Sequence, residues 1–289
     1  MPKNKSVAAL LYAEEVDMSG LMVRQPFPTD RFEQIDPFLL LHHADVEIRD
    51  DMETAHAGVG PHPHRGFSPV TFVFKGGVRH RDSRGNDSVI YEGGVQWMNA
   101  GMGIIHSERP PDNIQDIGGR QEIIQLWINT PARYKMDIPA YFALPAEAIP
   151  QTVSADKLVN VNVVAGHLAG LSGVIRPQSD VNAATILFKK DGHIQLPVPV
   201  SHNTIVYLLD GKLNVSGYWL MEKHYAAVFR HDGDQLELNA LEESRALLIT
   251  GEPINEKLAT FGPYVMNTQT EILQAMRDYQ MGKMGILIE

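Results

Sequence analysis

The chain has 289 residues, 44% of them hydrophobic and 21% charged, a globular composition long enough for one large domain or two of medium size. Lys and Arg total 25 against 35 acidic residues, and the resulting charge of −10 repels a phosphate backbone, so no direct nucleic-acid contact is expected. Zero cysteines rule out disulfides, thiolate nucleophiles and Cys-ligated metals, leaving nitrogen and oxygen as the only donors for an ion.

Lys3 and Lys5 precede a short apolar stretch at 7–13, but Glu14 and Glu15 stand where a signal peptide would carry small residues, so a mature cytoplasmic start is expected. No apolar run approaches the roughly 18 residues of a membrane span. Further on, runs rich in Val, Ile, Phe, Tyr and Thr alternate with turns built from 24 Gly and 18 Pro, which predicts a chain made mostly of strands. Strands are predicted over 70–74, 89–91, 121–128, 185–189, 204–209, 226–230 and 246–250. The charged stretch 79–86 reads as a solvated hairpin end turning at Gly85 and Asn86. The Pro-rich stretch 139–150 is the natural boundary between a domain at 1–140 and one at 141–289. One helix is predicted near the end, where Thr268 and Glu271 can form a capping box before Ile272, Leu273, Met276 and Tyr279, and Gly282 stops it.

The two halves repeat. TFVFKGGV (71–78) lies over IVYLLDGKL (205–213) with Gly77 on Gly211, 89–100 lies over 226–239, and 122–131 lies over 245–253. Each half therefore offers strand, Gly turn, strand, Gly turn, strand, as two copies of one small antiparallel barrel would.

Histidine is the residue to follow, because seven of the twelve fall between residues 42 and 106. Two pairs carry the argument: His62 with His64 in PHPHRGF (61–67), and His106 with Glu108 in GMGIIHSE (101–108). In a strand, an i, i+2 spacing puts both side chains on one face about 6.6 Å apart, so two such strands could aim three imidazoles and a carboxylate at one ion. Either pair alone is a common chance motif. The repeat supplies the control, since it places Leu196 and Val198 opposite His62 and His64, and predicts one polar and one apolar barrel. His42, His43, His56 and His80 read as structural, without a second ligand at strand spacing, and so do the scattered His167, His193, His202, His224 and His231. Trp97, Met102 and Trp127 could line a pocket, although aromatics and Met on strands are more often core, and strand parity alone does not decide which way Gln125 faces.

At these motifs the sequence resembles the pirin family of bicupins, through DPFLLLHHAD (36–45), PHPHRGF (61–67), HRDSRGN (80–86), VQWMNAGMGIIHSE (95–108), QLWIN (125–129) and GPYVMNTQTEI (262–272). The resemblance implies an all-β fold of two stacked antiparallel cupin β-barrels with a short C-terminal helix, a metal in the first barrel and none in the second. The family's ligands fall on His62, His64, His106 and Glu108. Ser68 stands where relatives commonly carry Glu, leaving Glu108 the only carboxylate of the set, and His42 and His43 replace a more usual Asp-containing pair. Such donors suit one mononuclear divalent transition metal, Fe(II) being the first expectation, with Zn, Cu, Ni, Mn or Co able to take the same place. The activity implied is quercetin 2,3-dioxygenase-like cleavage of a flavonol or similar enol by O₂, with Glu108 as catalytic base. The alternative implied is a non-enzymatic, metal-dependent redox sensor that binds a protein partner.

Overall fold

The computed structural model describes residues 2–18, 20–49, 58–216 and 219–289. The described chain is built from antiparallel sheets with two α-helices, α1 (Asp112–Ile117) and α2 (Gln269–Gln280). Every predicted strand is present, and the 7–13 stretch is itself the strand Val7–Tyr12.

Contacts divide the chain into two compact units, one of Val16–Val23, Phe38–Glu147 and Asn255–Glu289, the other of Met1–Glu15, Arg24–Pro37 and Ala148–Ile254. The central division lies between Glu147 and Ala148, and the terminal segments are shared between the units. Val7–Tyr12 pairs with Tyr225–Phe229 and so adds an edge strand to the later repeat. Helix α2 instead packs Ile272 and Ala275, together with Tyr264 and Met266 of the segment before it, with Ile105 of the earlier one.

In the first unit the strands Ala140–Leu144, Val95–Asn99, Phe67–Lys75, Gly119–Asn129 and Phe38–Ile48 are successive neighbours of one sheet. A second sheet runs Val59–His64, Ile104–Arg109, Gly77–Asp82, Asp87–Tyr91. The other unit repeats both orders: Tyr225–Phe229, Asn203–Asp210, Ser244–Gly251, Val181–Phe188 in the larger sheet, and His193–Pro197, Gln235–Ala240, Lys212–Val215, Trp219–Glu222 in the smaller. The repeat is shifted by one residue from the sequence alignment, because Gly76, not Gly77, sits between strands at φ +71°, as Gly211 does at φ +89°. A Cβ on Gly76 would lie 2.6 Å from the Arg120 carbonyl, so the turn needs glycine for both angle and space.

The expected asymmetry of the interiors holds. Leu196, Val198, Val206, Leu208, Leu213, Leu236 and Leu238 fill the second unit in one apolar cluster, each worth about 1.5–3 kcal/mol when fully buried. Residues 261–280 run as a short strand, Tyr264–Met266, into α2, whose capping box is formed: Thr268 Oγ1 accepts from the Glu271 amide at 3.2 Å and the Thr268 amide donates to Glu271 Oε2 at 2.8 Å. Helix α2 is then tied down by a buried ion pair, Arg65 Nη1 to Asp278 Oδ2 at 3.0 Å, one residue from His64.

Candidate metal centre

His62 and His64 lie on Val59–His64, and His106 and Glu108 on Ile104–Arg109, two hydrogen-bonded antiparallel strands. His106 stands directly opposite His62, and Ile104 opposite His64. A bulge then shifts the register so that Glu108 faces Val59, and Gly58, at φ +73°, lets the chain pass where a Cβ would meet the Glu108 carbonyl at 2.4 Å. The three imidazoles converge: one ring nitrogen of each lies within 4.8 Å of the other two, and the ring centroids are 4.4–4.9 Å apart.

Hydrogen bonds decide which nitrogens face the centre. His62 Nδ1 donates to the Gly60 carbonyl at 2.8 Å and His64 Nδ1 to the Pro263 carbonyl at 3.4 Å, so each presents a bare Nε2. Those two Nε2 atoms are 3.0 Å apart. His106 Nε2 is buried and has no hydrogen-bond partner among the described residues. Burial first, then the neighbouring His62, pushes the His64 pKa well below its ordinary value; His106 is pushed down by burial, His62, His64 and His80. Both are neutral, the form that ligates, and the donor set fits a borderline divalent ion.

Glu108 is not among the three converging donors. Its carboxylate is buried on the same strand, with Oε1 accepting from Thr71 Oγ1 at 2.6 Å and Oε2 from Gln125 Nε2 at 2.5 Å. Trp127 Nε1 in turn donates to Gln125 Oε1 at 3.1 Å. Gln125 is thus turned toward the site, and the register explains why. Residues facing each other across antiparallel strands share a face of the sheet, and Gln125 faces both Thr71 and His42, while Thr71 faces Gln96. Burial lowers the His42 pKa to about 4, so this row is neutral apart from the carboxylate it meets. Trp127 and Phe67, 4.4 Å apart, form an apolar wall against His64, at 5.3 and 5.0 Å. Trp97 is core, bonded to Asn99. Ser68 lies on the opposite face from Thr71 and donates to Asn99 Oδ1 at 2.9 Å, so its replacement of Glu leaves the histidine face untouched.

Sequence reasoning missed His80 and Asp82. The stretch read as a solvated hairpin end carries both as fully buried side chains, and His80 Nδ1 lies 3.4 Å from His106 Nδ1. The signal was present, since His80 and Asp82 share the i, i+2 spacing of the ligand pairs and their strand borders that of His106. His43 pairs with Glu122 at 3.3 Å, away from the three imidazoles, and His56 lies outside the described residues.

A family model for Pirin matches residues 20–128, and one for the Pirin C-terminal cupin domain matches 183–285. A curated relative from Pseudomonas aeruginosa, PA2418, provisionally named a quercetin 2,3-dioxygenase, is 36% identical over 265 residues, 91% of this chain and 92% of its own length. The crystal structure of a quercetin 2,3-dioxygenase from Acinetobacter baumannii superposes with a TM-score of 0.92 at 34% identity, covering 99% of this chain and 100% of that one. The pirin YhhW of Escherichia coli, solved with nickel(II), shares the fold at a TM-score of 0.69 and 19% identity, over 85% of this chain and 99% of that one.

Proposed function

This chain belongs to the pirin family, and on that premise we propose that it is a metal-dependent dioxygenase that opens the ring of a flavonol or similar enol with O₂. The observation that carries the reading is the set of three converging imidazoles beside the buried carboxylate of Glu108. His62, His64, His106 and Glu108 would hold the ion, Fe(II) being the first choice. When bound, such an ion supplies Lewis acidity at the enol oxygen and a redox partner for O₂.

The remaining chemistry belongs to the chain. Glu108 takes the proton of the flavonol 3-hydroxyl, leaving an electron-rich enolate. Thr71 and Gln125 hold the two oxygens of that carboxylate, fixing the direction in which it accepts. Phe67 and Trp127 offer a flat apolar wall for an aromatic substrate and keep water from the enolate. Both atoms of O₂ enter the opened product and one ring carbon leaves as carbon monoxide. The reading also places the protein in the cytoplasm, acting on a small molecule with no direct contact to nucleic acid. No helix among the described residues is long and apolar enough to cross a membrane.

The test is O₂ uptake with quercetin by iron-loaded protein. Uptake that falls roughly 10²- to 10⁴-fold in Glu108→Ala is the expected outcome. Iron bound at one equivalent with no uptake would overturn the reading for that substrate.

A further inference from the structure

We propose that His80 and Asp82 are positioning residues of the metal centre, forming with His106 a buried chain that fixes the His106 tautomer and strengthens it as a ligand. The inference rests on reading His62, His64 and His106 as metal ligands.

The chain begins at a carboxylate surrounded by donors. Asp82 Oδ2 accepts from His80 Nε2 at 3.0 Å and Asn86 Nδ2 at 2.7 Å, while Oδ1 accepts from the amides of Arg84 at 2.9 Å and Asn86 at 3.1 Å. Four donors converge on these two oxygens, the arrangement that suits an anion which only accepts. His80 puts a proton on Nε2 to donate there, and with that one proton on the ring its Nδ1 is left bare. A neutral imidazole has one donor and one acceptor, so the polarity passes on. His106 Nδ1, 3.4 Å from His80 Nδ1, is the donor to it, and His106 Nε2 is left with a free lone pair. That is the atom with no partner among the described residues.

The surroundings hold this order in place. Tyr141 stacks on His80 with centroids 3.9 Å apart and planes 6° from parallel, and its hydroxyl is paired with Ser88 Oγ at 2.7 Å. His80 is therefore braced against rotation. The hairpin does not explain the histidine, because the turn is satisfied by the three Asp82 bonds to Arg84 and Asn86. The three imidazoles also differ in what stands behind them. His62 and His64 lean on backbone carbonyls, whereas His106 leans on a charge relayed through one intervening ring. A carboxylate behind a ligating imidazole raises its basicity, so His106 is the strongest nitrogen donor of the three.

Two measurements test this, both without quercetin or O₂. In the metal-free protein, nitrogen-15 NMR should show His106 protonated on Nδ1 and bare on Nε2; protonation on Nε2 would overturn the proposal. In chelator competition, His80→Phe, which keeps a ring on Tyr141 but ends the chain, should weaken Zn(II) binding roughly 10- to 100-fold. Tyr141→Phe, which keeps the stack, should bind Zn(II) as the parent does. Parental Zn(II) affinity in folded His80→Phe would also overturn it, and if that variant does not fold, the tautomer in the parent decides. Loss of the dioxygenase reading shows instead as bound metal without O₂ uptake, so the two failures are distinct.

Discussion

Glu108 accepts one hydrogen bond on each oxygen, from Thr71 on one strand and Gln125 on the next, so each oxygen keeps a lone pair while the carboxylate holds a single orientation. Gln125→Leu removes the second donor without touching the imidazoles. The expected result is full metal content with a drop in O₂ uptake of about 10-fold, the loss of one donor to a charged group. Metal lost together with activity would mean that Gln125 acts on binding instead. His42 makes a prediction of a different kind. Burial holds its pKa at about 4 against an ordinary 6.5, so between those values the unfolded chain takes up a proton that the folded chain refuses. Stability from this group is complete above pH 6.5 and declines as the pH falls through that window, by roughly 3 kcal/mol in total. Urea melts of the metal-free protein at pH 7 and pH 4.5 would show it, with a shallower pH dependence in His42→Leu. A parental slope in that variant would assign the pH dependence elsewhere.

At the scale of elements, α2 is fastened by a side-chain network more than by its own length. Arg65, Gln274 and Lys283 all converge on Asp278, and the Arg65 pair is almost dry. Breaking a buried pair by removing one partner leaves an uncompensated charge, so Asp278→Ala should cost about 3–5 kcal/mol. Hydrogen exchange over 269–280 should rise in parallel, and unchanged protection there would show that the apolar face of Ile272 and Ala275 suffices to hold the helix. This helix was legible in the sequence because its signals are local: Thr268 and Glu271 are three residues apart and bond to each other. Helix α1 was not, since its six residues follow two prolines and carry no side-chain cap. The strands were legible for a similar reason, as β-branched and aromatic runs end at Gly and Pro wherever the chain turns.

Across the whole molecule the repeat places one polar and one apolar interior on the same pattern of strands. Among the described residues His62, His64 and His106 are the one cluster of three donors close enough to share an ion. Elemental analysis should therefore give one equivalent of metal per chain, and stripping it with a chelator should lower Tm, since a ligand at 100 times its Kd stabilises the folded state by about 2.7 kcal/mol. A second tightly held equivalent would contradict the apolar interior formed around Leu196, Leu236 and Leu238.

Seven strands, the duplicated order of strands and turns, the closing helix and the two histidine-bearing pairs could be read from the chain before any fold was known. All of these depend on spacings of two to four residues, where backbone geometry dictates which side chains share a face. That Thr71 and Gln125 hold Glu108, that His80 and Asp82 lie behind His106, and that the terminal segments join opposite repeats became visible once the strands were paired. Each of those depends on which strands become neighbours and in what register. Pairing of that kind is set by burial summed over whole sheets, and no short stretch of sequence contains it.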